Sequence, residues 1–214
     1  MNQDYRSNSL EYWNDIHRSN DRKEIKTDDW LDRFDDIIMQ TQKPILDLGC
    51  GSGNDTKYLL DKDKQVIPCD QSENAIDHIK RCIPEVTNVR CFNMLDGLPF
   101  EDDSFDVVIA DLCLHYFTRS DTEYILSEIQ RVLTPDGHLI ARVNSINDIN
   151  HGAGQGKEVE HHLYETEQGT LKRFFDKDDI HTLFADFKIM FLNEEVMTRY
   201  QQDKSAFILC VKCD

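Results

Sequence analysis

A turn with three glycines between a buried strand and a helix limits most strongly how this chain can fold. The apolar segment 44–48 (PILDL) runs directly into the turn 49–53 (GCGSG), and a helical pattern follows from about Asn54 to Leu60. Glycine at alternate positions allows a tight turn and lets a ligand approach the backbone without a Cβ in the way. A dinucleotide-binding turn also needs glycine at the sixth position counted from Gly49, and Asn54 stands there. The pattern therefore predicts a ligand site at a strand end and disfavours a nicotinamide-dependent oxidoreductase.

Strand and helix patterns alternate along the rest of the chain. Ser72 is expected to cap a helix over 73–82, and Ser120 with Glu123 forms the capping-box pattern of a second helix that Pro135 and Gly137 would end. Near-continuous apolar strands that alternate with helices indicate a parallel sheet covered on both faces. The expected further strands are 65–70, 89–93, 105–111, 138–143, 188–192 and 206–211, and a last helix is expected from 176.

The charge of the chain bears on its partners. Lys and Arg number 24 against 41 Asp and Glu, a formal net charge of −17, and no basic cluster is longer than the pair Lys80-Arg81. Since phosphate binding needs a basic face, a nucleic-acid partner is disfavoured. No apolar run approaches the roughly 20 residues that cross a bilayer, and the first residues lack the basic start and apolar core of a secretory signal. We therefore expect a cytoplasmic protein without a membrane partner.

Five landmarks in order along the chain carry a resemblance to a known family. They are ILDLGCGSG at 45–53, Asp70 at the end of the second strand, LPFEDDSFDVV at 98–108, DLCLHYF at 111–117 and RVLTPDGHL at 131–139. Together they resemble the class I S-adenosylmethionine-dependent methyltransferases, with Asp136 in place of a glycine. The resemblance implies an α/β, Rossmann-like fold with a seven-stranded, mostly parallel sheet and helices on both faces. It also implies S-adenosylmethionine as cofactor and methyl transfer as activity.

The resemblance assigns cofactor contacts to residues at the strand ends. Asp47 would lie near the methionine ammonium, the glycine turn beside the methionine and ribose, and Asp70 on the ribose hydroxyls. Met94 stands where the family often has an aspartate for the adenine amino group, so the backbone N–H of Leu95, or the carboxylate of Asp96, is the expected substitute. The complete expected set is Asp47, Gly49, Cys50, Gly51, Gly53, Asp70, Gln71, Met94, Leu95, Asp111 and Leu112.

Candidate catalytic residues follow the fourth strand. They are Asp111, His115 and Tyr116, of which His115 is either a general base or a residue that shapes the pocket. The polar, glycine-rich segment at about 144–173 is longer than an ordinary connection and is predicted to be a mobile lid for the methyl acceptor. Candidate acceptor-binding residues are Arg142, Asn144, His151 and Tyr164. His151, His161 and His162 lack a known ligand spacing, and no metal site is expected.

The chain is predicted to divide into a helical cap at 1–40 and a methyltransferase domain at 41–214. The aromatic residues Tyr5, Tyr12, Trp13 and Trp30 of the cap either cover the cofactor or serve as packing anchors. The preferred function is methyl transfer to a small-molecule acceptor by a monomer or homodimer. The alternatives are a non-catalytic S-adenosylmethionine-binding module and a methyltransferase acting on RNA or protein.

Overall fold

The computed structural model describes residues 2–19 and 25–213, and the side chains from residue 5 onward within these ranges. The helices are α1 (Asn2–Ser19), α2 (Asp35–Gln40), α3 (Asn54–Asp61), α4 (Glu73–Cys82), α5 (Arg119–Val132) and α6 (Lys177–Leu183). The strands are β1 (Ile45–Leu48), β2 (Val66–Asp70), β3 (Arg90–Cys91), β4 (Phe105–Asp111), β5 (Leu133–Asn144), β6 (Lys157–Glu160), β7 (Leu163–Glu165), β8 (Leu171–Arg173), β9 (Lys188–Met197) and β10 (Lys204–Lys212). Short 3-10 helices lie at Asp32–Phe34, Met94–Asp96 and Ile149–His151.

Seven strands form the main sheet in the order β3-β2-β1-β4-β5-β10-β9. The first five strands in this order run parallel to one another, and β10 pairs antiparallel with both β5 and β9. This arrangement confirms the predicted seven-stranded, mostly parallel sheet. Because the parallel strands share one direction, their carboxyl ends meet at one edge, where β10 begins beside the end of β5.

The core lies on both faces of this sheet because successive strand residues point to opposite sides. On β1, Ile45 packs in a cluster with residues of α2 and α3, whereas Leu46 packs in a cluster with residues of α5 and α6. Ile45 and Leu46 are both fully buried, with 0% exposure. The expected helices on both faces are therefore present.

Helix starts follow local side-chain chemistry, with one correction. Ser72 caps α4 as predicted, because its hydroxyl accepts a hydrogen bond from the backbone N–H of Ala75 at 3.3 Å. The predicted cap of α5 at Ser120 is wrong. Thr118 caps that helix instead, accepting from the N–H of Asp121 at 3.2 Å.

Several strand boundaries also differ from the prediction. Strand β9 runs on to Met197 and β10 begins at Lys204, beyond the expected 188–192 and 206–211. The third strand is only Arg90–Cys91, an exposed edge strand with one neighbour. Helix α5 ends at Val132, two residues before the Thr134–Gly137 turn, and Leu133 already pairs with Phe105 of β4. The turn residues form an irregularity within β5, where pairing resumes between His138 and Val107.

The segment predicted to be a lid contains a small antiparallel sheet in the order β6-β7-β8. Leu163, Leu171 and Arg173 of this sheet are buried. Backbone hydrogen bonds from Arg173 to the carbonyl of His115, and from Phe175 to that of Asn144, attach the segment to the main domain. The segment is thus a small folded unit attached to the main domain, and its role as a mobile lid for the acceptor stays a prediction.

Helix α1 forms part of the predicted cap and packs beside α4. Asn14 accepts a hydrogen bond from the Ser72 hydroxyl at 2.8 Å, and its carbonyl accepts one from the Asn74 side chain at 2.9 Å. Residues 1 and 20–24 of the predicted cap lie outside the described residues. Within the ranges described, no helix is long and apolar enough to cross a membrane.

Candidate active site

A cavity of about 470 Å³ opens at the carboxyl edge of the main sheet. The ends of β1, β2 and β4, the 3-10 turn at Ile149–His151 and the segment 199–204 before and at the start of β10 contribute to its wall, and α1 lies across it. Ligands of open α/β sheets bind at this edge. The size lies in the range of sites for small molecules and cofactors.

The glycine turn after β1 borders this cavity. Gly49 has φ 71°, and a Cβ there would lie 2.5 Å from the Cβ of Cys113. Gly51 has φ 50°, and a Cβ there would lie 3.4 Å from Cε1 of His17 on α1. Both positions need the left-handed conformation that glycine adopts without strain. The turn therefore brings bare backbone against the cavity, as the sequence predicts.

Asp47 lies beneath the turn and is almost completely buried. Its carboxylate accepts a hydrogen bond from the hydroxyl of Thr56 on α3. Burial raises the pKa of Asp47 to about 7, against the effect of the Thr56 hydrogen bond, and the charges of Asp111 and Asp70 add to the increase. Burial likewise raises the pKa of the neighbouring Asp55, which accepts from the indole N–H of Trp30 at 2.9 Å. A buried group of acids is suited to a cationic ligand.

Asp70 stands at the end of β2, where the resemblance places the ribose-binding acid. Its two carboxylate oxygens accept hydrogen bonds from the backbone N–H groups of Gly51, at 3.0 Å, and Ser72, at 2.9 Å. Burial raises its pKa, while these hydrogen bonds and the charge of His17 act in the opposite direction. The carboxylate is thus fixed in orientation beside the glycine turn, with lone pairs left for vicinal hydroxyls.

The region expected to hold adenine differs in one respect from the prediction. Met94 lines the cavity, but Leu95 does not, and its backbone N–H donates to Oδ1 of Asn93 at 2.9 Å. The Asn93 side chain thus occupies this N–H, and the expected contact of the N–H with adenine stays a prediction. Asp96 is mostly exposed, faces Arg6 at 3.6 Å and is also outside the cavity lining. Asn93, which no sequence pattern singles out, lines the cavity instead.

Asp111 and Arg142 form a buried ion pair with each other. Asp111 is therefore not a free catalytic carboxylate, and the guanidinium of Arg142 is not free to bind the methyl acceptor. Both oxygens of Asp111 accept from the guanidinium, at 2.6 and 2.7 Å, and Arg199 adds a contact at 3.3 Å. Burial alone would raise the pKa of Asp111, but the two guanidiniums hold it below its usual value. Arg142 lies outside the cavity lining, over the ring of Trp30. Asp111 is therefore unsuited to accept a proton, and Arg142 is a structural residue.

His115 and Tyr116 line the cavity as predicted, but neither is a ready base. Burial, together with the charges of Lys204 and Lys172, lowers the pKa of His115 well below its usual range. Its Nδ1 is buried and has no hydrogen-bond partner among the described residues. Burial raises the pKa of Tyr116, whose ring contacts Trp13 edge-on at 5.1 Å between centroids. Of the two roles left open for His115, shaping the pocket is the better supported.

The cavity gathers most of the site residues that the sequence singled out. Gly53 starts α3 away from the cavity lining, Asn144 is buried at the end of β5, and the ring of Tyr164 packs edge-on against Phe174. These three residues, like Leu95 and Arg142, do not line the cavity. The predicted residues that do line it are Asp47, Gly49, Cys50, Gly51, Asp70, Gln71, Met94, Asp111, Leu112, His115, Tyr116 and His151.

The aromatic residues of the N-terminal segment divide between the two roles left open. Tyr12 and Trp13 of α1 line the cavity, and so does His17, whose pKa burial lowers. Trp30 is a packing anchor, buried between Asp55 and Arg142. Tyr5 lines a separate small cavity beside α1.

One end of the cavity carries residues that sequence reasoning missed. Strand order places Asp70 and Met94 on the β2–β3 side, and places His151 and Lys204 on the side of β5 and β10. Lys204 pairs with the buried Asp148, at 2.7 Å, which also lies 2.8 Å from Nδ1 of His151. The sequence offers two local signals for these residues. One is a lysine at the start of an apolar strand, and the other is an aspartate three residues before a histidine.

His161 and His162 lie apart from His151, in the turn between β6 and β7. Their ligand atoms and those of Asp176 and Asp179 all lie within 4.8 Å of one another. Asp176 and Asp179 form the capping box of α6, and Asp179 lies 2.7 Å from Nδ1 of His162. The helix cap and this hydrogen bond account for the grouping.

The fold and the cavity define a Rossmann-like α/β protein with a nucleoside-type site at the carboxyl edge of its sheet. Residues 46–141 match the family model described as Methyltransferase domain. An uncharacterised methyltransferase of Synechocystis is 32% identical over 104 residues, which cover 49% of this chain and 48% of the relative. A tRNA N(3)-methylcytidine methyltransferase of Schizosaccharomyces pombe is 28% identical, over 82% of this chain and 77% of its own length.

A solved structure shares the fold. The 1,6-didemethyltoxoflavin-N1-methyltransferase of Burkholderia thailandensis, with bound 1,6-didemethyltoxoflavin and S-adenosylhomocysteine, has a TM-score of 0.59 and 23% identity, over 80% of this chain and 72% of that chain. This chain spans about half the length of the Synechocystis relative. Over residues 46–141 the chain is therefore similar to the class I S-adenosylmethionine-dependent methyltransferases, whose cofactor is S-adenosylmethionine.

Proposed function

We propose that this protein transfers a methyl group from S-adenosylmethionine to a small-molecule acceptor. The proposal rests on one observation, which is that the two ends of the cavity differ in the chemistry of their lining residues. The end at the glycine turn holds the buried acids Asp47 and Asp55 and the half-buried Asp70, and the end at β10 holds Arg199 and Lys204. The first end is suited to a cationic nucleoside cofactor and the second to a separate acceptor.

The residues at the first end fit the cofactor. Asp47 would pair with the methionine ammonium, the backbone at Gly49 and Gly51 would lie beside the methionine and ribose, and Asp70 would accept hydrogen bonds from the ribose hydroxyls. When bound, S-adenosylmethionine supplies a methyl group already activated by its sulfonium. The task left to the chain is to align the acceptor and exclude water, and alignment of this kind contributes about 7–11 kcal/mol to lowering a barrier.

Helix α1 favours a small acceptor. Tyr12 and Trp13 lie across the cavity, and Trp13 contacts Tyr116 on the opposite wall. A folded RNA would have to displace this helix to bring a base to the methyl group. The net charge of −17 also disfavours a polyanionic acceptor.

A tRNA acceptor is the second candidate, and it rests on the fission yeast relative. That protein carries the name of a tRNA N(3)-methylcytidine methyltransferase and matches most of this chain. Within this chain, the residues at the β10 end would then receive a base extruded from its strand.

Transfer of labelled methyl groups separates the two candidates. Purified protein is incubated with methyl-labelled S-adenosylmethionine and either desalted metabolite fractions or bulk tRNA. We expect label in a metabolite fraction and none in tRNA, and Asp70→Ala abolishes it by removing the ribose acceptor. Label in tRNA alone would favour the second candidate, and label in neither, with S-adenosylmethionine still bound, would favour a non-catalytic binding module.

A further inference from the structure

A histidine and a buried carboxylate form an oriented pair at the acceptor end of the cavity. Nδ1 of His151 lies 2.8 Å from Oδ1 of Asp148, whose side chain has no exposed surface. Both residues belong to the short turn after β5, in which the backbone N–H of His151 also donates to the Asp148 carbonyl. Since a carboxylate only accepts hydrogen bonds, this contact requires the hydrogen of the imidazole on Nδ1. The lone pair of a neutral His151 is then on Nε2.

The Asp148 carboxylate is held by donors from other elements. Oδ1 also accepts from the backbone N–H of Ser205 at 3.1 Å, and Oδ2 accepts from the Lys204 ammonium at 2.7 Å. These contacts fix the carboxylate and thereby the imidazole plane. Among the described residues, no hydrogen bond is made to Nε2 of His151, and His151 lines the cavity.

The catalytic candidates that the sequence singled out are less suited to accept a proton. Asp111 accepts from two guanidiniums, and His115 is a buried imidazole beside two lysines. Tyr116 is half-buried, and desolvation raises its pKa. His17 lies at the other end of the cavity, against Gly51.

The geometry points to His151 as the group that accepts the proton of the methyl acceptor, with Asp148 as its positioning residue. This inference rests on the proposed methyl transfer and narrows the acceptor to a molecule whose nucleophilic atom carries a hydrogen, such as a hydroxyl, a thiol or an N–H group. The acceptor atom bonds to the methyl carbon, and the carbon–sulfur bond breaks with its electron pair left on sulfur. The hydrogen of the acceptor passes as a proton to Nε2, and Asp148 stabilises the imidazolium that results.

Several charged groups lie around His151. Asp148 contacts its Nδ1, and Lys204 of β10 pairs with the other oxygen of the same carboxylate. Lys172 of β8 donates to the His151 carbonyl at 2.7 Å, and burial together with Lys204 lowers the pKa of Lys172 to about 8. The ring of Tyr200 lies 5.7 Å from the imidazole, beside Arg199.

The first test does not need an acceptor. In ¹⁵N-labelled protein, nuclear magnetic resonance of the imidazole nitrogens identifies the tautomer, and the His151→Gln variant assigns the signal. We expect hydrogen on Nδ1 in the wild type and its transfer to Nε2 in Asp148→Asn. Hydrogen on Nε2 of wild-type His151 would overturn the inference.

The second test uses whichever acceptor the labelling experiment identifies. We expect His151→Gln to lower kcat by about 10²-fold or more and to remove the fall of kcat/KM on the acidic side of the pH profile. S-adenosylmethionine binding, measured by calorimetry, should be unchanged, which shows that the variant is folded. His181→Gln, on the exposed surface of α6, is the matched control and should keep the wild-type profile.

The two proposals fail in different ways. Methyl transfer that persists in His151→Gln with the wild-type rate and pH profile overturns the role of His151 and leaves the proposed function intact. Absence of transfer by the wild type overturns the proposed function, and the role of His151 with it.

Discussion

Arg142 and Asp111 form a two-pronged ion pair across neighbouring strands of the main sheet. Nε and Nη2 of Arg142 lie 2.6 and 2.7 Å from the two carboxylate oxygens, and the two residues are direct register partners of β5 and β4. The arginine side chain is 2% exposed. The pair therefore holds together the ends of the two strands from which the acceptor end of the site is built.

Removal of one partner of this pair should destabilise the fold. Arg142→Met leaves Asp111 buried with only the longer contact from Arg199, and loss of a partner from a buried pair lowers the free energy of unfolding by about 3–5 kcal/mol. Denaturant unfolding measures the change. The control is Arg119→Ala, which removes the exposed pair with Glu123 and should change stability by about 0–1 kcal/mol. Equal stability of the two variants would show that the buried pair does not hold the strands.

The affinity for S-adenosylmethionine should rise with pH through neutrality. Burial raises the pKa of Asp47 to about 7, so the carboxyl is mostly neutral below this pH and ionised above it. A cationic ammonium favours the ionised form, and the dissociation constant should increase by up to about tenfold per pH unit below 7. Calorimetry at pH values on both sides of 7 measures this dependence.

Two variants test the assignment to Asp47. Asp47→Asn should bind weakly, and its affinity should not vary over this pH range. Asp61→Asn, on the exposed surface of α3, should keep the wild-type dependence. A dissociation constant of the wild type that does not change with pH would contradict the role given to Asp47.

Much of the fold could be predicted because its signals are local. The strand Phe105–Asp111 and the helix Glu73–Cys82 have the predicted bounds, since a continuous apolar run and a capping serine are both features of a few neighbouring residues. The cap of α5 was missed because Thr118 and Ser120 carry the same hydroxyl chemistry two residues apart. Only the path of the chain before the helix decides between them.

The glycine turn and Asp70 could be predicted in the site for the same reason. The roles of Asp111 and Arg142 could not, because each depends on a partner 31 positions away that the sheet register brings alongside. Lys204 reaches the cavity from the start of β10, which enters the sheet antiparallel beside β5, and Arg199 reaches it from the connection before that strand. The sequence around Arg199 or Lys204 contains no pattern that predicts their position at the cavity.

Gly49 and Gly154 allow steric clash to be separated from backbone strain. Their φ angles are 71° and 72°, so a Cβ places either residue in the left-handed region, at about 1–2 kcal/mol. At Gly49 the Cβ would also lie 2.5 Å from the Cβ of Cys113, whereas at Gly154 no heavy atom lies within 4 Å. Gly49→Ala should therefore lose more stability than Gly154→Ala and should also lose S-adenosylmethionine binding. Thermal unfolding and calorimetry measure the two effects, and equal losses would contradict the close approach at Cys113.

Trp13 should report cofactor binding by its fluorescence. It lines the cavity on α1, whereas Trp30, the other tryptophan of the chain, is 4% exposed and lies outside the cavity lining. Addition of S-adenosylmethionine should change the emission of the wild type and of Trp30→Phe, and the change should be absent in Trp13→Phe. Trp13→Ala should also weaken binding, because it removes the aromatic contact with Tyr116 that holds α1 over the cavity. Leu10→Ala, at an exposed position of the same helix, is the control, and equal binding by Trp13→Ala and Leu10→Ala would show that the helix does not cover the cofactor.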